Sequence, residues 1–258
     1  MQLKDKVAVV TGGSRGIGFG IAKAFLREGA SVLIVGRSPD KGEKALAELG
    51  HPERAAFLAC DATDRASVDA MIDECVDRFG TLDILVNNVG GATSFAPIAV
   101  MDDETWQQGL LFNVTSAFFA SRKALETMLP RRSGRIINMS SVEGKHGKPF
   151  IVQYVTAKHA LNGFTKALSK EVGAEGITVN ALCPGLVITD LVSEQAEAAA
   201  RSAGITTEAF LAQFASESAI NRANTVEEVA AVAVLVASDA GSGINGAMIS
   251  IDGGTAAY

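Results

Sequence analysis

Tyr154 and Lys158 stand four residues apart in the run Tyr-Val-Thr-Ala-Lys, a spacing that puts two side chains on one face of a helix. A free phenol, with a pKa of about 10, is a poor proton donor or base near neutrality. An ammonium beside it favours the phenolate and draws that value down. Such a group suits a reaction in which hydride leaves or reaches carbon while a proton leaves or reaches oxygen, and it serves both directions. Ser141 precedes the tyrosine by thirteen residues, just beyond a predicted strand, where its hydroxyl can hold the substrate oxygen. Taken alone, Tyr-x-x-x-Lys is usually a surface pair. A second constellation changes that balance: Thr11-Gly12-Gly13-Ser14-Arg15-Gly16-Ile17-Gly18 falls between the first apolar run and the first helical pattern. Glycines there allow tight bends and close approach of a pyrophosphate, and the N–H groups and dipole of the next helix favour its charge.

Other chemistries find less support. The histidines, His51, His146 and His159, have no zinc-ligand spacing, and no G-x-S-x-G elbow surrounds Ser140 or Ser141; no metal is expected. His146 lies in the loop expected at the substrate mouth and reads as a lining residue, His159 as a packing or surface one. Cys183 reads as a small buried side chain. The other tyrosine is Tyr258. A net charge of -6 argues against nucleic acid as a partner. Three cysteines without a C-x-x-C pair suit no disulfide framework, and a cytoplasmic setting follows. No signal-peptide pattern and no membrane-spanning apolar run occur.

The elements that must position these groups follow a βα rhythm. Apolar runs at 6–11, 31–36, 55–60, 82–87, 134–139, 177–182 and 247–251 read as strands. Helical patterns occupy 16–28, 40–49, 64–79, 102–128, 153–172 and 226–238, the fourth with room for a bend. Strands without polar alternation belong in a parallel sheet covered on both faces. The expected fold class is therefore α/β, a single Rossmann-type doubly wound sheet of about seven strands over residues 1–258. Residues 191–223 break the rhythm and read as one or two small helices above the sheet, a substrate lid that is mobile until cofactor and substrate bind. Its Leu191, Val192, Ile205, Phe210, Leu211 and Phe214 suit an apolar or acyl-chain substrate, although helix packing explains them equally well.

TGxxxGxG, in place of G-x-G-x-x-G, resembles the short-chain dehydrogenase/reductase family, and the resemblance runs along nearly the whole chain. Asn87-Asn88-Val89-Gly90 resembles the family's NNAG, with Val89 replacing alanine; this implies that Asn88 and Gly90 line the adenosine side and steady the sheet. Ser141, Tyr154 and Lys158 resemble its Ser…Tyr-x-x-x-Lys signature, the thirteen-residue spacing favouring Ser141 over Ser140. Asn113 matches its catalytic asparagine. Pro184-Gly185 followed by Thr189 resembles the loop that holds the nicotinamide carboxamide, and Ile251-Asp252-Gly253-Gly254 the C-terminal turn. Residues 140–189 look especially like ketoacyl and polyketide ketoreductases and 3-hydroxybutyrate dehydrogenases. The resemblance implies hydride transfer between a nicotinamide and a ketone or secondary alcohol, with Tyr154 as general acid/base. It further implies that Lys158 binds the nicotinamide ribose and that Asn113 holds a water linking Lys158 to solvent. It implies a homotetramer, and Trp106, Leu110, Leu111, Phe118 and Phe119 supply apolar surface for it.

Gly12, Ser14, Arg15, Gly16, Ile17 and Gly18 then form the cofactor loop, and Asp61 is expected against the adenine. A carboxylate ending the second strand would hold a 2′-hydroxyl; in the family it aligns with Gly36, and Arg37 follows. Arg37 and Arg15 suit a 2′-phosphate, so NADP(H) is expected over NAD(H). The alternatives are an NAD-dependent, 3-hydroxybutyrate-like alcohol dehydrogenase and a non-catalytic nucleotide-binding interaction protein. A hydrolase or isomerase on the same fold lacks an elbow or metal cluster.

Overall fold

β1 (Val7–Thr11) is buried at every residue, and its alternate side chains enter two different cores. Ala8 and Val10 join Ile21, Phe25, Val229 and Val234 on one side. Val7 and Val9 join Ile72, Leu85, Met128 and Val172 on the other. This two-sided burial is why the strand shows no polar alternation. The computed structural model describes residues 1–256, apart from the side chains at 195, 198, 199, 202 and 203; Tyr258 lies outside the described residues.

The remaining strands are β2 (Ser31–Gly36), β3 (Ala55–Ala59), β4 (Ile84–Asn87), β5 (Gly134–Met139), β6 (Ile177–Pro184) and β7 (Met248–Ile251). They form one seven-stranded sheet in the order β3-β2-β1-β4-β5-β6-β7, with every pairing parallel. Helices α1 (Gly16–Arg27), α2 (Pro39–Leu49) and α9 (Val226–Ala237) contribute to the first core; α3 (Arg65–Phe79), α5 (Ser116–Arg131) and α6 (Val152–Val172) contribute to the second. The expected doubly wound α/β class is the observed one. The chain reverses its direction of progress across the sheet between β1 and β4, and the crevice at such a point is where ligands bind in this architecture.

Two stretches differ from the sequence expectation. The helix expected at 102–128 is α4 (Asp103–Leu110), a widened π turn at Leu111–Thr115, then α5. The cause is Asn113, 1% exposed: its amide donates to Gly109 O at 2.9 Å and Gly91 O at 3.0 Å and accepts from Gly91 N at 2.9 Å. Those bonds hold a neighbouring loop and favour a local bulge. β6 runs to Pro184 because β7 pairs with it as far as Ile251. The 191–223 insert holds α7 (Asp190–Ala203) and α8 (Thr207–Ser216). Among the described residues no helix is long and apolar enough to cross a membrane, and no group of three metal-ligating side chains occurs.

Candidate active site

The glycine loop is fixed from both neighbouring strands. Gly13 N donates to Val35 O at 3.0 Å. From the end of β4, Asn88 Nδ2 donates to Thr11 O at 2.9 Å and Gly12 O at 3.3 Å, while Thr11 Oγ1 accepts from Asn88 N at 2.9 Å. Gly18 is needed for this close approach: a Cβ there would lie 2.5 Å from both Gly12 O and Asn88 Nδ2. Gly18 therefore sits behind the loop instead of lining it. Arg15 leads into α1 without a side-chain cap, so the first N–H groups of that helix are available to an anion.

A cleft of about 830 Å³ runs from this loop across the sheet's C-terminal edge. Gly12, Ser14, Arg15, Gly16 and Ile17 line one end together with Arg37 and Asp61. A Cβ on Gly36 would lie 3.0 Å from Ser14 Oγ, so a longer side chain has little room there. Asp61 accepts from Thr63 N at 2.9 Å and Thr63 Oγ1 at 2.7 Å. These bonds hold its carboxyl below the usual range, and Arg37 adds a smaller pull. Asn88, Gly90, Pro184, Gly185 and Thr189 line the middle. Gly185 N is tied to Ile251 O at 3.0 Å. Thr189 Oγ1 accepts from Val192 N at 3.3 Å at the start of α7, and Thr189 Cγ2 faces Gly16, whose Cβ would meet it at 3.3 Å.

Ser141, Tyr154 and Lys158 line the other end. Ser141 follows β5 and is buried; its Oγ donates to Glu143 Oε2 and accepts from Glu143 N. Ser140 instead turns its Oγ to Lys158 O at 3.4 Å. Lys158, 3% exposed, donates from Nζ to Met139 O at 2.7 Å and lies 5.4 Å from the centre of the Tyr154 ring. Burial brings the Lys158 ammonium down to about 8. Tyr154 goes the other way. Burial and then the Glu143 carboxylate push its phenol above the ordinary value, against a lowering hydrogen bond with Ser141. Tyr154 and Lys158 share one face of α6, but burial and Glu143 outweigh any downward pull on the phenol, and the ammonium is bonded to Met139 O.

Asn113 stands behind the wall rather than in it. A Cβ on Gly90 would lie 2.6 Å from Asn113 Oδ1 and 3.0 Å from Lys158 Nζ, so these three meet; the Asn113 amide itself is engaged by Gly91 and Gly109. His146 is not among the residues lining the cleft, contrary to its expected place. The same loop brings Lys148, Pro149 and Phe150 there. Lys148 Nζ reaches Glu217 Oε2 at 3.0 Å and sits 3.6 Å from the centre of the Phe214 ring on α8. Cys183 is buried, and burial pushes its thiol up. Glu143 was not singled out from the sequence, although its place two residues after Ser141 permits the Ser–backbone turn that is formed.

A doubly wound parallel sheet with a glycine loop at the reversal point and a Ser–Tyr–Lys end wall defines a nucleotide-binding oxidoreductase architecture. The short chain dehydrogenase family model matches residues 6–200, and the chain belongs to that family, an oxidoreductase family. It is 35% identical over 256 residues to the 3-oxoacyl-(acyl-carrier-protein) reductase FabG of Chlamydia muridarum, covering 98% of each chain. It is 37% identical over 255 residues to the D-beta-hydroxybutyrate dehydrogenase of Cupriavidus necator, again 98% of each. A crystal structure of an actinorhodin polyketide ketoreductase with NADPH superposes with a TM-score of 0.94 at 31% identity, covering 100% of this chain and 99% of that one.

Proposed function

We propose that this chain is an NADP(H)-dependent oxidoreductase that interconverts a ketone and a secondary alcohol, with a 3-oxoacyl-type ketone favoured. One observation carries the reading: the Tyr154, Ser141 and Lys158 side chains share one end of the cleft whose other end is the glycine loop. The residues fit a nicotinamide dinucleotide. The uncapped start of α1 leaves its first N–H groups to a pyrophosphate, and the crowded glycines at 12 and 18 let the loop pack tightly against Asn88. Gly12, Ser14, Arg15, Gly16 and Ile17 would hold the pyrophosphate, and Asp61 the adenine. Asn88 and Gly90 would lie along the adenosine side, and Pro184, Gly185 and Thr189 would hold the carboxamide. Bound there, the nicotinamide supplies or accepts the hydride.

The chain's own groups handle the oxygen. Ser141 Oγ holds the substrate oxygen. Tyr154 Oη gives it a proton in reduction and takes one back in oxidation. Lys158 would hold the nicotinamide ribose. Asn113 acts through Gly91, keeping the wall beside Lys158 in place. α7 and α8 close over the bound pair as a lid and exclude water.

The NADP(H) preference is supported by Arg15 and Arg37 lining the cleft beside Gly36, which supplies no acid, and by the NADPH of the ketoreductase neighbour. A cytoplasmic setting is in keeping with three free, buried cysteines. Assembly as a homotetramer is in keeping with Phe118, 40% exposed, on α5, where Arg122 stacks over Phe118 and Phe119. The test is NADPH oxidation followed by absorbance across a panel of neutral and acidic ketones, with NADH in parallel. Turnover with NADPH is expected. No turnover on any ketone with either nucleotide would sink the reading, and a preference for NADH would sink its cofactor half.

A further inference from the structure

Glu143 puts a carboxylate one hydrogen bond from the serine that, on the reading above, holds the reacting oxygen. Its Oε2 accepts from Ser141 Oγ, and its backbone N–H donates back to that oxygen at 3.2 Å. It is half-buried and lines the cleft. When Ser141 turns its one proton to a carbonyl oxygen, the Glu143 N–H still donates to Ser141 Oγ, so the carboxylate stays within about 6 Å of that oxygen. The cations near it are already engaged. Among the described lining residues at this end the cations are Lys158 and Lys148. Lys158 is buried and bonded to Met139 O; Lys148 is paired with Glu217 at 3.0 Å. Lys145, on the same loop, reaches Ser250 Oγ at 2.7 Å and does not line the cleft. Asp190 adds further negative charge to the wall. Phe95, Phe150, Leu191, Phe210 and Phe214 also line the cleft and offer apolar surface and no countercharge.

Resting on the ketone reading, we infer that Glu143 is a specificity-determining residue that excludes substrates carrying a free carboxylate close to the carbonyl. The ketone that fits is neutral around its reacting carbon, as in a 3-oxo ester or thioester. A 3-oxo acid places its carboxylate two carbons from the carbonyl, inside the field of Glu143 and without a cation to receive it. Like charges at such a separation in a partly buried site repel enough to cost roughly tenfold to a hundredfold in kcat/KM.

The experiment compares each panel ketone that the wild-type enzyme reduces with its analogue bearing a carboxylate beta to the carbonyl; ethyl 3-oxobutanoate against 3-oxobutanoate is one such pair. Wild type should favour the neutral member by roughly tenfold or more. Glu143→Gln keeps an acceptor for Ser141 and removes the charge, so the ratio should fall toward unity. Its pH–rate profile should also move to lower pH, because the carboxylate raises the Tyr154 phenol. Nucleotide titration of Glu143→Gln checks that the variant is folded. A wild type that takes the acid as well as the ester overturns the inference whatever the variant does, and so does an unchanged ratio in a folded Glu143→Gln. Failure on every ketone overturns the reading of function and this inference with it.

Discussion

The two ends of the cleft are built in different ways. The nucleotide end is made of backbone. Thr11, Gly12 and Gly13 are held by bonds from Asn88 and Val35, at the ends of buried strands, and the glycine at 18 leaves no slack. The Tyr154 end, the proposed substrate end, is made of side chains on a loop and two added helices. Phe95 and Phe150 are 61% and 60% exposed there, and the contact between the loop and α8 includes one ion pair and one cation–π stack. Backbone bonded at strand ends can hold one geometry through many family members. Side chains on a loop can change substrate without disturbing the sheet.

Changes at each end should therefore fail differently. The largest expected effect is Tyr154→Phe, which removes the proton-transfer group and nothing else. If Tyr154 is the proposed general acid, kcat should fall by about a thousandfold while nucleotide binding persists. Steady-state kinetics beside nucleotide titration check this, and near-normal kcat would end the assignment. Next is Arg37→Asp at the other end, which trades a phosphate contact for repulsion. NADPH should lose on the order of 2 to 4 kcal/mol of binding and NADH far less. Equal losses would mean that Arg37 does not read the 2′-phosphate.

A third change sets function against stability at Lys158. Its folded pKa of about 8 lies below the ordinary 10.5. Between those values the unfolded chain binds more protons, so stability rises as pH goes from 8 to 10.5. Below pH 8 both states are charged and the folded protein carries the full penalty of about 3 kcal/mol. Lys158→Met should thus gain up to about 2 kcal/mol at pH 7, once the lost bond to Met139 O of about 1 kcal/mol is counted. It should also lose turnover and flatten the rise in stability above pH 8. Denaturant melts at pH 7 and 10 decide it; a loss of stability at pH 7 would contradict the account. The smallest effect is Lys148→Met, which removes the tie to Glu217 and Phe214. Exchange protection on α8 should fall by only a few-fold, in line with about 0.5 to 1 kcal/mol for such contacts. α8 protected as strongly as the core strands without ligand would show a rigid cap and not a lid.

The contrast between the ends also decided what the residues announced beforehand. The sheet was readable because each strand is buried on both faces and so is apolar throughout, as in Val7–Thr11. The glycine loop was readable because backbone crowding admits few residue types. Asn113 was found by resemblance, yet its engagement with Gly91 and the widened turn around it depend on a loop 22 residues away. The upward push on Tyr154 was hidden because it comes from burial and from Glu143, and neither follows from the four-residue spacing to Lys158. Glu143 itself looks like any polar loop residue until Ser141 is seen to donate to it. His146, three residues further on, looked the better lining residue and is not one.

The bond from Gly185 N to Ile251 O has a consequence for the order in which the molecule is made. A nascent chain that has reached Thr189 already contains every candidate site residue. The strand that fixes Gly185 is still some sixty residues away, on the order of 3 to 12 s at ordinary translation rates. Throughout that interval β6 has an open edge and the loop below it lacks its anchor. Nucleotide binding should therefore arise late and abruptly in synthesis, when residues 248–251 dock, and chains stalled before that point should carry an exposed strand for chaperones to cover.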